Sequence, residues 1–482
     1  MAKIGKLEYV VFIGGFSVMV VEIIGSRLVA PYFGNTIFVW TSLIGMVLAS
    51  LALGYHLGGK IADKNAEMRT LFYLLLGSGI LIAAIPLISD AVLKFSLILG
   101  VRYGPLLSSL ILISIPNVLL GMVSPYAVKL KTKDLDFLGS NAGDLYAIST
   151  VGSIVGTFIT GFFLIPTFGV KTILIGTGLI LGISGFIALG KTSYKLSFLF
   201  FLLIVVNIFA LVLPKDNEIV YEKESPYQLI RVQDIPERNV RYLYLDNAVH
   251  SGIFLNSTNI VFRYIKCSQI ARLISQDPEN VLFVGLGGGT GINEYFVRTD
   301  AKVDAVEIDA DVVETAYDYF NLTRDERVSV FAEDGRNFIS SSNKEYDIVF
   351  MDAFSSYSIP FHLTTLETTK EIKRTLKPDG ILVTNVISGL DGNKSLMFKS
   401  LYKTYKEVFP YVYVFHIFDE PGRVQNVILI ASSKNISELF EGVDFKGEFS
   451  CIPYSQEIDI SDAVLLSDDY APVDNLVIST YE

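Results

Sequence analysis

A chain of 482 residues that is 51% hydrophobic, only 18% charged and of mean hydropathy +0.46 argues against a wholly soluble globular protein and against disorder. The charge is divided: residues 1–214 hold 14 Lys/Arg against 8 Asp/Glu, a net of +6, and residues 215–482 carry −17. So acidic a water-facing half repels phosphates, which disfavours a nucleic-acid partner. Cys267 and Cys451 make no disulfide framework, and His56, His250, His362 and His416 are too far apart for a local metal motif, so no metal is expected.

The first half supplies repeated apolar runs of the roughly 20 residues that a helix needs to cross a bilayer core of about 30 Å. Seven spans are expected, near 9–30, 36–58, 70–90, 105–128, 145–166, 171–190 and 194–213. The first is long, contains Glu22 and is followed directly by further spans, so it reads as a retained helix rather than a cleaved signal. Residues 91–104 are apolar but short and basic, and are expected to be interfacial or re-entrant. Gly152, Gly156 and Gly161 in the fifth span, with Gly178 and Gly182 in the sixth, predict that these two helices pack on each other. Glu22, Arg27, His56 and Asp144 lie within spans or at their ends, where a charge costs at least ~2.5 kcal/mol at the helix centre unless paired or hydrated. Glu22, Arg27 and Asp144 are the candidate site residues of the membrane domain, against the alternative that Arg27, His56 and Asp144 snorkel at an interface.

Basic residues at the N-terminus and in the loops with Lys60, Lys64 and Arg69, then Lys129, Lys131 and Lys133, then Lys191 and Lys195, place the N-terminus in the cytoplasm. Seven spans then carry residue 215 outward. A catalytic domain on the cytoplasmic side of a multi-pass cell-membrane protein therefore asks for one more crossing around 80–104.

After Pro214 the pattern changes. YQLIRV (227–232) and RYLYL (241–245), with a turn-rich stretch between them, predict a small β domain over 215–260. From Asn280 strand and helix alternate: VLFVG, a glycine loop and helix, VDAVEI, a helix to about 320, VSVFA, a short helix, YDIVFMD, a helix through about 364–376, and GILVTNV. Near-continuous apolar strands joined by helices predict a parallel sheet covered on both faces, with all strand C-termini on one rim. The expected organisation is a transmembrane domain over 1–214, the β domain, and a Rossmann-like catalytic domain over 261–482.

The rim carries the chemistry. Gly285, Gly287 and Gly289 lie in the turn after the first strand, Glu307 ends the second, Asp334 and Gly335 follow the third, and Asp352 ends the fourth. A glycine turn opening a helix admits a ligand close to the backbone, and an acid 20 residues after Gly287 suits a ribose diol. The absence of a Lys-Ser/Thr pair argues against a P-loop nucleotidase. A dinucleotide fold is the competing reading; against it, Ile292 stands where the third fingerprint glycine belongs, and three strand-end acids suit a cationic sulfonium nucleoside.

The segments Glu22–Arg27, Ala30–Gly34, Gly54–Gly59, Tyr146–Gly152, Ser225–Gln228, Gly287–Gly291, Val306–Asp309, Glu333–Gly335 and Met351–Phe354 resemble the spermidine synthases, or polyamine aminopropyltransferases, in the form fused to a multi-span membrane domain. The resemblance implies a small β domain ahead of a methyltransferase-like sheet. It also implies a donor pocket in which Glu307 holds the ribose, Asp334 the adenine and Gln228 lies beside the sulfonium, with Asp352 at the reacting carbon. The co-substrate implied is S-adenosylmethionine or its decarboxylated form, with no permanently bound cofactor; the acceptor is an amine or a lipid-like molecule, and a homodimer is compatible. Three positions depart from the family. Thr290 stands where the glycine loop of soluble members carries Asp, Ser355 where a second Asp follows the one matched by Asp352, and Ile265 where Gln or His follows the tyrosine matched by Tyr264. A hydroxyl in place of a carboxylate removes the Coulombic preference for a cation, so Tyr264, Thr290 and Ser355 are the candidate substrate residues. Asp352 is the expected catalytic group, routing the proton of an amine nucleophile. The loop 354–363 is expected to close over the site, with His362 a hydrogen-bonding loop residue. A methyltransferase-like enzyme acting on a membrane-delivered substrate, and a polyamine or nucleoside transporter or sensor, are the alternatives.

Overall fold

The computed structural model describes residues 5–132, 134–189, 200–202, 205–207, 218–257, 259–354 and 359–481. The chain divides into two compact units, Met1–Lys215 and Asp216–Glu482.

The first unit is helical. Its helices are α1 (Lys6–Phe33), α2 (Ile37–Lys64), α3 (Met68–Ser96), α4 (Gly100–Leu112), α5 (Ser114–Lys131), α6 (Leu138–Ile159), the single turn α7 (Ile165–Thr167) and α8 (Val170–Leu189). Among the described residues four stretches are long and apolar enough to cross a bilayer: Lys6–Phe33, Ile37–Lys64, Met68–Leu112 and Leu135–Thr167. The seven expected spans are therefore not reproduced. The run at 105–128 is divided between α4 and α5, which meet at Ile113, where Pro116 cannot donate to the Leu112 carbonyl one turn back. Residues 91–104, expected to be interfacial or re-entrant, are the end of α3, a 3-10 turn at Leu97–Leu99 and the start of α4. The expected span at 171–190 corresponds to α8, which is 20 residues long, and most of 194–213 lies outside the described residues.

Glycines set the helix packing, with partners other than those expected. A methyl group on Gly15 would strike the Ser149 carbonyl, and one on Gly156 would lie 2.5 Å from the Phe16 carbonyl, so α6 packs on α1. A methyl on Gly178 would lie 2.6 Å from the Gly79 carbonyl, which places α8 on α3; Gly161 meets open space. Removing the side chain at such points lets two backbones approach closely. The outward faces are apolar: Phe162 is 80% exposed, and Ile154 and Phe158 on α6 are exposed beside it.

The second unit opens with an antiparallel sheet in the order β1-β2-β3-β4, made of β1 (Ile219–Glu224), β2 (Leu229–Ile235), β3 (Val240–Leu245) and β4 (Ala248–Phe254). Its buried face, Ile230, Val232, Leu243 and Leu245, packs on Val312 and Phe320. Each such side chain, fully buried, contributes roughly 1.5–3 kcal/mol. An eight-stranded sheet follows, ordered β12-β10-β11-β9-β8-β5-β6-β7. It contains β5 (Asn280–Val284), β6 (Lys302–Glu307), β7 (Val328–Ala332), β8 (Tyr346–Met351), β9 (Leu376–Ser388), β10 (Tyr411–His416), β11 (Gln425–Ser432) and β12 (Ile452–Pro453). The five strands β5 to β9 pair in parallel, whereas β10, β11 and β12 join antiparallel, so the sheet is mixed rather than wholly parallel. From β5 the chain winds outward through β6 and β7, then returns to lay β8 on the other side of β5. The strand order thus reverses between β5 and β8, the place where open α/β sheets hold ligands.

Candidate active site

The site forms where neighbouring strands end. The backbone of Asp352 donates to the Val284 carbonyl at 2.8 Å, Gly285 to Val306 at 2.8 Å and Glu333 to Glu307 at 3.0 Å. These bonds bring the ends of β8, β5, β6 and β7 into one row. Gly285, Gly287 and Gly289 have φ of +95°, +52° and +71°, the left-handed region that favours glycine. At Gly285 the need is also steric, because an added methyl would fall on the Asp352 carbonyl. The loop then opens the helix Thr290–Phe296.

Glu307 organises this turn. Its Oε2 accepts from the Leu286 backbone N–H at 3.1 Å and its Oε1 from that of Asp309 at 3.2 Å. Burial raises its pKa, opposed by the backbone donors of Leu286, Asp309 and Gly287. Each oxygen keeps a lone pair for a further donor such as a diol hydroxyl. Asp309, itself buried, caps the helix Ala310–Tyr319 and accepts the Ser225 hydroxyl at 2.5 Å. Ser225 Oγ in turn accepts the backbone N–H groups of Tyr227 and Gln228, and the Gln228 side chain also bonds Asp309. This network seats the β1–β2 turn, and with it Gln228, beside the end of β6. Ser225 and Asp309 are the structural half of a motif whose signal was already in the residues flanking Gln228 and Glu307.

Asp334 caps the helix Gly335–Ser341 by accepting the Asn337 N–H at 3.0 Å, and its other oxygen lies 3.1 Å from His362 Nε2. His362 is thereby a hydrogen-bonding residue of its loop. Thr290 Oγ1 and Ser251 Oγ pair at 3.1 Å, so the hydroxyl on the glycine loop meets a hydroxyl from β4. His250, next to Ser251, sits at an irregularity in the β3–β4 register, its backbone carbonyl beside Gly287. Burial pushes its imidazole down to about 4, so it is neutral at physiological pH. Ser355 lies outside the described residues.

Asp352 is the most perturbed acid at the rim. Burial pushes its carboxyl up to about 6, partly offset by hydrogen bonds from Asn385 and Tyr264. Asn385 Nδ2 donates to Asp352 Oδ1 at 2.8 Å, and Asn385 Oδ1 accepts Asn426 Nδ2 at 3.0 Å. The Tyr264 hydroxyl, its own pKa raised by burial and by the Asp352 charge, donates to the same carboxylate. A buried carboxyl titrating near neutrality, with one amide and one phenol fixing its orientation, is equipped to take a proton. Asn385 and Asn426 were not singled out from the sequence: they stand on adjacent strands 41 residues apart, and only the β9–β11 pairing joins them.

The membrane-domain candidates are dispersed. Asp144 on α6 lies 3.9 Å from Lys131, which bonds Glu8 at 2.9 Å, an ionic cluster at the end of the bundle. Arg27 and Glu22 are both on α1.

Residues 266–439 match the spermine/spermidine synthase domain. The chain is 31% identical over 182 residues to a polyamine aminopropyltransferase of Vibrio vulnificus, covering 36% of this chain and 58% of that protein. It is 25% identical over 184 residues to a probable polyamine aminopropyl transferase of Bifidobacterium longum, covering 38% of this chain and 40% of that protein. The chain thus spans less than two thirds of either relative. A polyamine aminopropyltransferase 2 of Aquifex aeolicus is 24% identical over 436 residues and matches over 84% of both chains. Among solved structures, spermidine synthase from Thermotoga maritima superposes with a TM-score of 0.41 at 20% identity, covering 51% of this chain and 81% of that one.

Proposed function

We propose that this chain, whose residues 266–439 match the spermine/spermidine synthase domain, is an integral-membrane aminopropyltransferase of the spermidine synthase family. It transfers an aminopropyl group from decarboxylated S-adenosylmethionine to an amine acceptor and releases methylthioadenosine. The observation that carries the reading is Asp352, raised to about 6 at the point where strand order reverses, held by Tyr264 and Asn385 and next to the glycine turn.

In this reading Glu307 takes the ribose diol, Asp334 the adenine edge, and Gly285, Gly287 and Gly289 let the donor approach the backbone. Gln228 stands beside the sulfonium, and Tyr264 and Thr290 face the aminopropyl group and the acceptor. The amine nitrogen attacks the carbon next to the sulfonium, the carbon–sulfur bond breaks with its electrons going to sulfur, and Asp352 takes the proton from the new ammonium. Orientation of the two reactants supplies a share of the ~7–11 kcal/mol available from lost bimolecular entropy. The four long apolar helices with exposed apolar faces support a multi-pass membrane location for the first unit. Calorimetry with decarboxylated S-adenosylmethionine, S-adenosylmethionine and methylthioadenosine tests the donor: the decarboxylated form should bind more tightly than the intact one.

A second reading is favoured by the Thr290–Ser251 hydroxyl pair, which places no carboxylate at that point of the glycine loop. An intact S-adenosylmethionine, with its carboxylate, then serves as a methyl donor. Equal or tighter binding of the intact donor selects it.

A further inference from the structure

The chain has two cysteines, and the fold brings them together in the second unit. Cys267 is on the helix Arg263–Ser268, and Cys451 lies between the turn Phe445–Phe449 and β12. Both side chains are fully buried in one apolar cluster with Ile270, Phe415 and Phe449, and the two thiols hydrogen-bond each other. Neither takes part in the transferase chemistry.

Packing alone accounts for a buried cysteine, since a thiol fills space as a small hydrophobe does. It gives no reason for the chain's two thiols to face each other. One of them also has an approach: Cys451 lines a cavity of about 310 Å³ together with Arg263, Phe418, Lys446, Ser450 and Ile452. Arg263 is one helical turn before Cys267, so one face of this helix gives a guanidinium to the cavity and a thiol to the sulfur contact. Arg263 lies over the Phe418 ring at 5.7 Å and has no carboxylate partner among the described residues, whereas Lys446 is paired with Asp419 at 3.3 Å. A small polar oxidant, little larger than water, fits a polar cavity of this size.

The two thiols differ in their surroundings. Burial and the neighbouring sulfur push the Cys267 thiol well up, so it keeps its proton and is inert by itself. Cys451 is on the cavity wall, in a lightly held segment: β12 is two residues long at the edge of the sheet, and Ser450 just before Cys451 has a φ of +56°.

We propose that Cys267 and Cys451 form a reversible disulfide, made by hydrogen peroxide that enters the cavity at Cys451, and that closing it shifts Tyr264. The Cys451 sulfur attacks one peroxide oxygen; the O–O bond breaks, hydroxide leaves beside Arg263 and takes the thiol proton as water, and Cys451 becomes a sulfenic acid. The Cys267 sulfur, already in contact, attacks the Cys451 sulfur; the S–O bond breaks and a second hydroxide leaves with the Cys267 proton as water. Two thiols together give up two electrons, and one peroxide is reduced to two waters.

Tyr264 stands on the same short helix, between Arg263 and Cys267, and its hydroxyl donates to Asp352. A sulfur–sulfur bond is about 2.05 Å long, far shorter than a contact between two thiols. Forming it draws the helix toward Cys451 and stretches the hydrogen bond from Tyr264 to Asp352. Weakening a donor to a carboxylate favours its protonated form. This coupling rests on the transferase reading, because turnover reports it; the disulfide does not.

The test is titration of the full-length chain in detergent with hydrogen peroxide, followed by mass spectrometry and by kcat/KM against pH. Wild-type protein should lose both thiols together and two hydrogen masses within a single chain, both restored by dithiothreitol. Cys267→Ala should stop at a sulfenic acid on Cys451 that dimedone captures; Cys451→Ala should keep Cys267 reduced at the same peroxide concentration, and serves if Cys267→Ala does not fold. In the oxidised wild type the ascending limb of kcat/KM should move to higher pH by about half a unit, reversibly, and Cys451→Ala should show no such shift. Thiols that persist in the wild type, or oxidation of Cys451 to a sulfinic acid with no disulfide, overturn the proposal, and a disulfide with an unmoved limb overturns its coupling to Tyr264. A disulfide that forms in a chain with no turnover, oxidised or reduced, leaves the cross-link standing and removes the enzymatic reading instead.

Discussion

Asn385 on β9 donates from Nδ2 to Asp352 Oδ1 at 2.8 Å, and is itself held by Asn426 on β11, whose Nδ2 reaches Asn385 Oδ1 at 3.0 Å. The amide of Asn385 therefore has one acceptable orientation, with its N–H toward the acid. Replacing Asn426 by Leu leaves the Asn385 oxygen unpartnered and the amide free to turn that oxygen toward Asp352. An acceptor facing a carboxylate favours its protonated form. The ascending limb of kcat/KM against pH should move to higher pH by about half a unit to one unit in Asn426→Leu, with plateau activity reduced little. A variant that loses activity at all pH values without moving the limb contradicts this coupling.

Asp352 itself gives the profile its sign. A base titrating at about 6 must be ionised to work, so activity should rise as pH passes through 6 and level above it. Stability runs the other way. The folded-state pKa lies above the ordinary value of 3.8, so the folded chain holds the proton more tightly than the unfolded one, and its stability falls as pH rises from about 4 to about 6. Asp352→Asn should lower turnover by about 10²–10⁴-fold while raising the melting temperature at pH 8. A lower melting temperature at that pH, with donor binding lost as well, would mark Asp352 as structural.

Two glycines six residues apart should respond in opposite directions. Gly285→Ala puts a side chain at φ +95° and onto the Asp352 carbonyl, spreading β5 from β8. A loss of about 2–4 kcal/mol is expected in urea unfolding of the full chain, together with loss of donor binding. Gly291→Ala, inside the following helix and 3.8 Å from its nearest neighbour, should be neutral or gain about 0.5–1 kcal/mol. Equal effects at the two positions would contradict the geometry of the turn.

Glu307→Gln keeps one acceptor oxygen and turns an amide donor toward a backbone N–H of Leu286 or Asp309. Methylthioadenosine, which shares the ribose, should bind about 10–100-fold more weakly by calorimetry, since an unpaired buried donor costs about 1–3 kcal/mol. Unchanged affinity removes Glu307 from the ribose.

The parts of this molecule legible in the chain are those with local cause. β5, β6, β7 and β8 are near-continuous apolar runs closed by Gly or an acid, so their ends are visible as Gly285, Glu307, Asp334 and Asp352 without any knowledge of pairing. The antiparallel edge of β10, β11 and β12 leaves no such mark, because its register depends on residues far apart in sequence, and Asn385 and Asn426 are invisible for the same reason. In the first unit, hydropathy reports apolar length but not where a helix breaks. Ile113 interrupts an apolar run that composition reads as one span, and the partners of Gly156 and Gly178 follow from which helices are neighbours, which small-residue spacing alone does not encode.

The most direct measurement is mass spectrometry of the products formed by the full-length chain from decarboxylated S-adenosylmethionine and putrescine. Methylthioadenosine and an acceptor extended by one aminopropyl unit are expected, both abolished in Asp352→Asn. Formation of S-adenosylhomocysteine and a methylated product from the intact donor, with no aminopropyl product from the decarboxylated one, would contradict it.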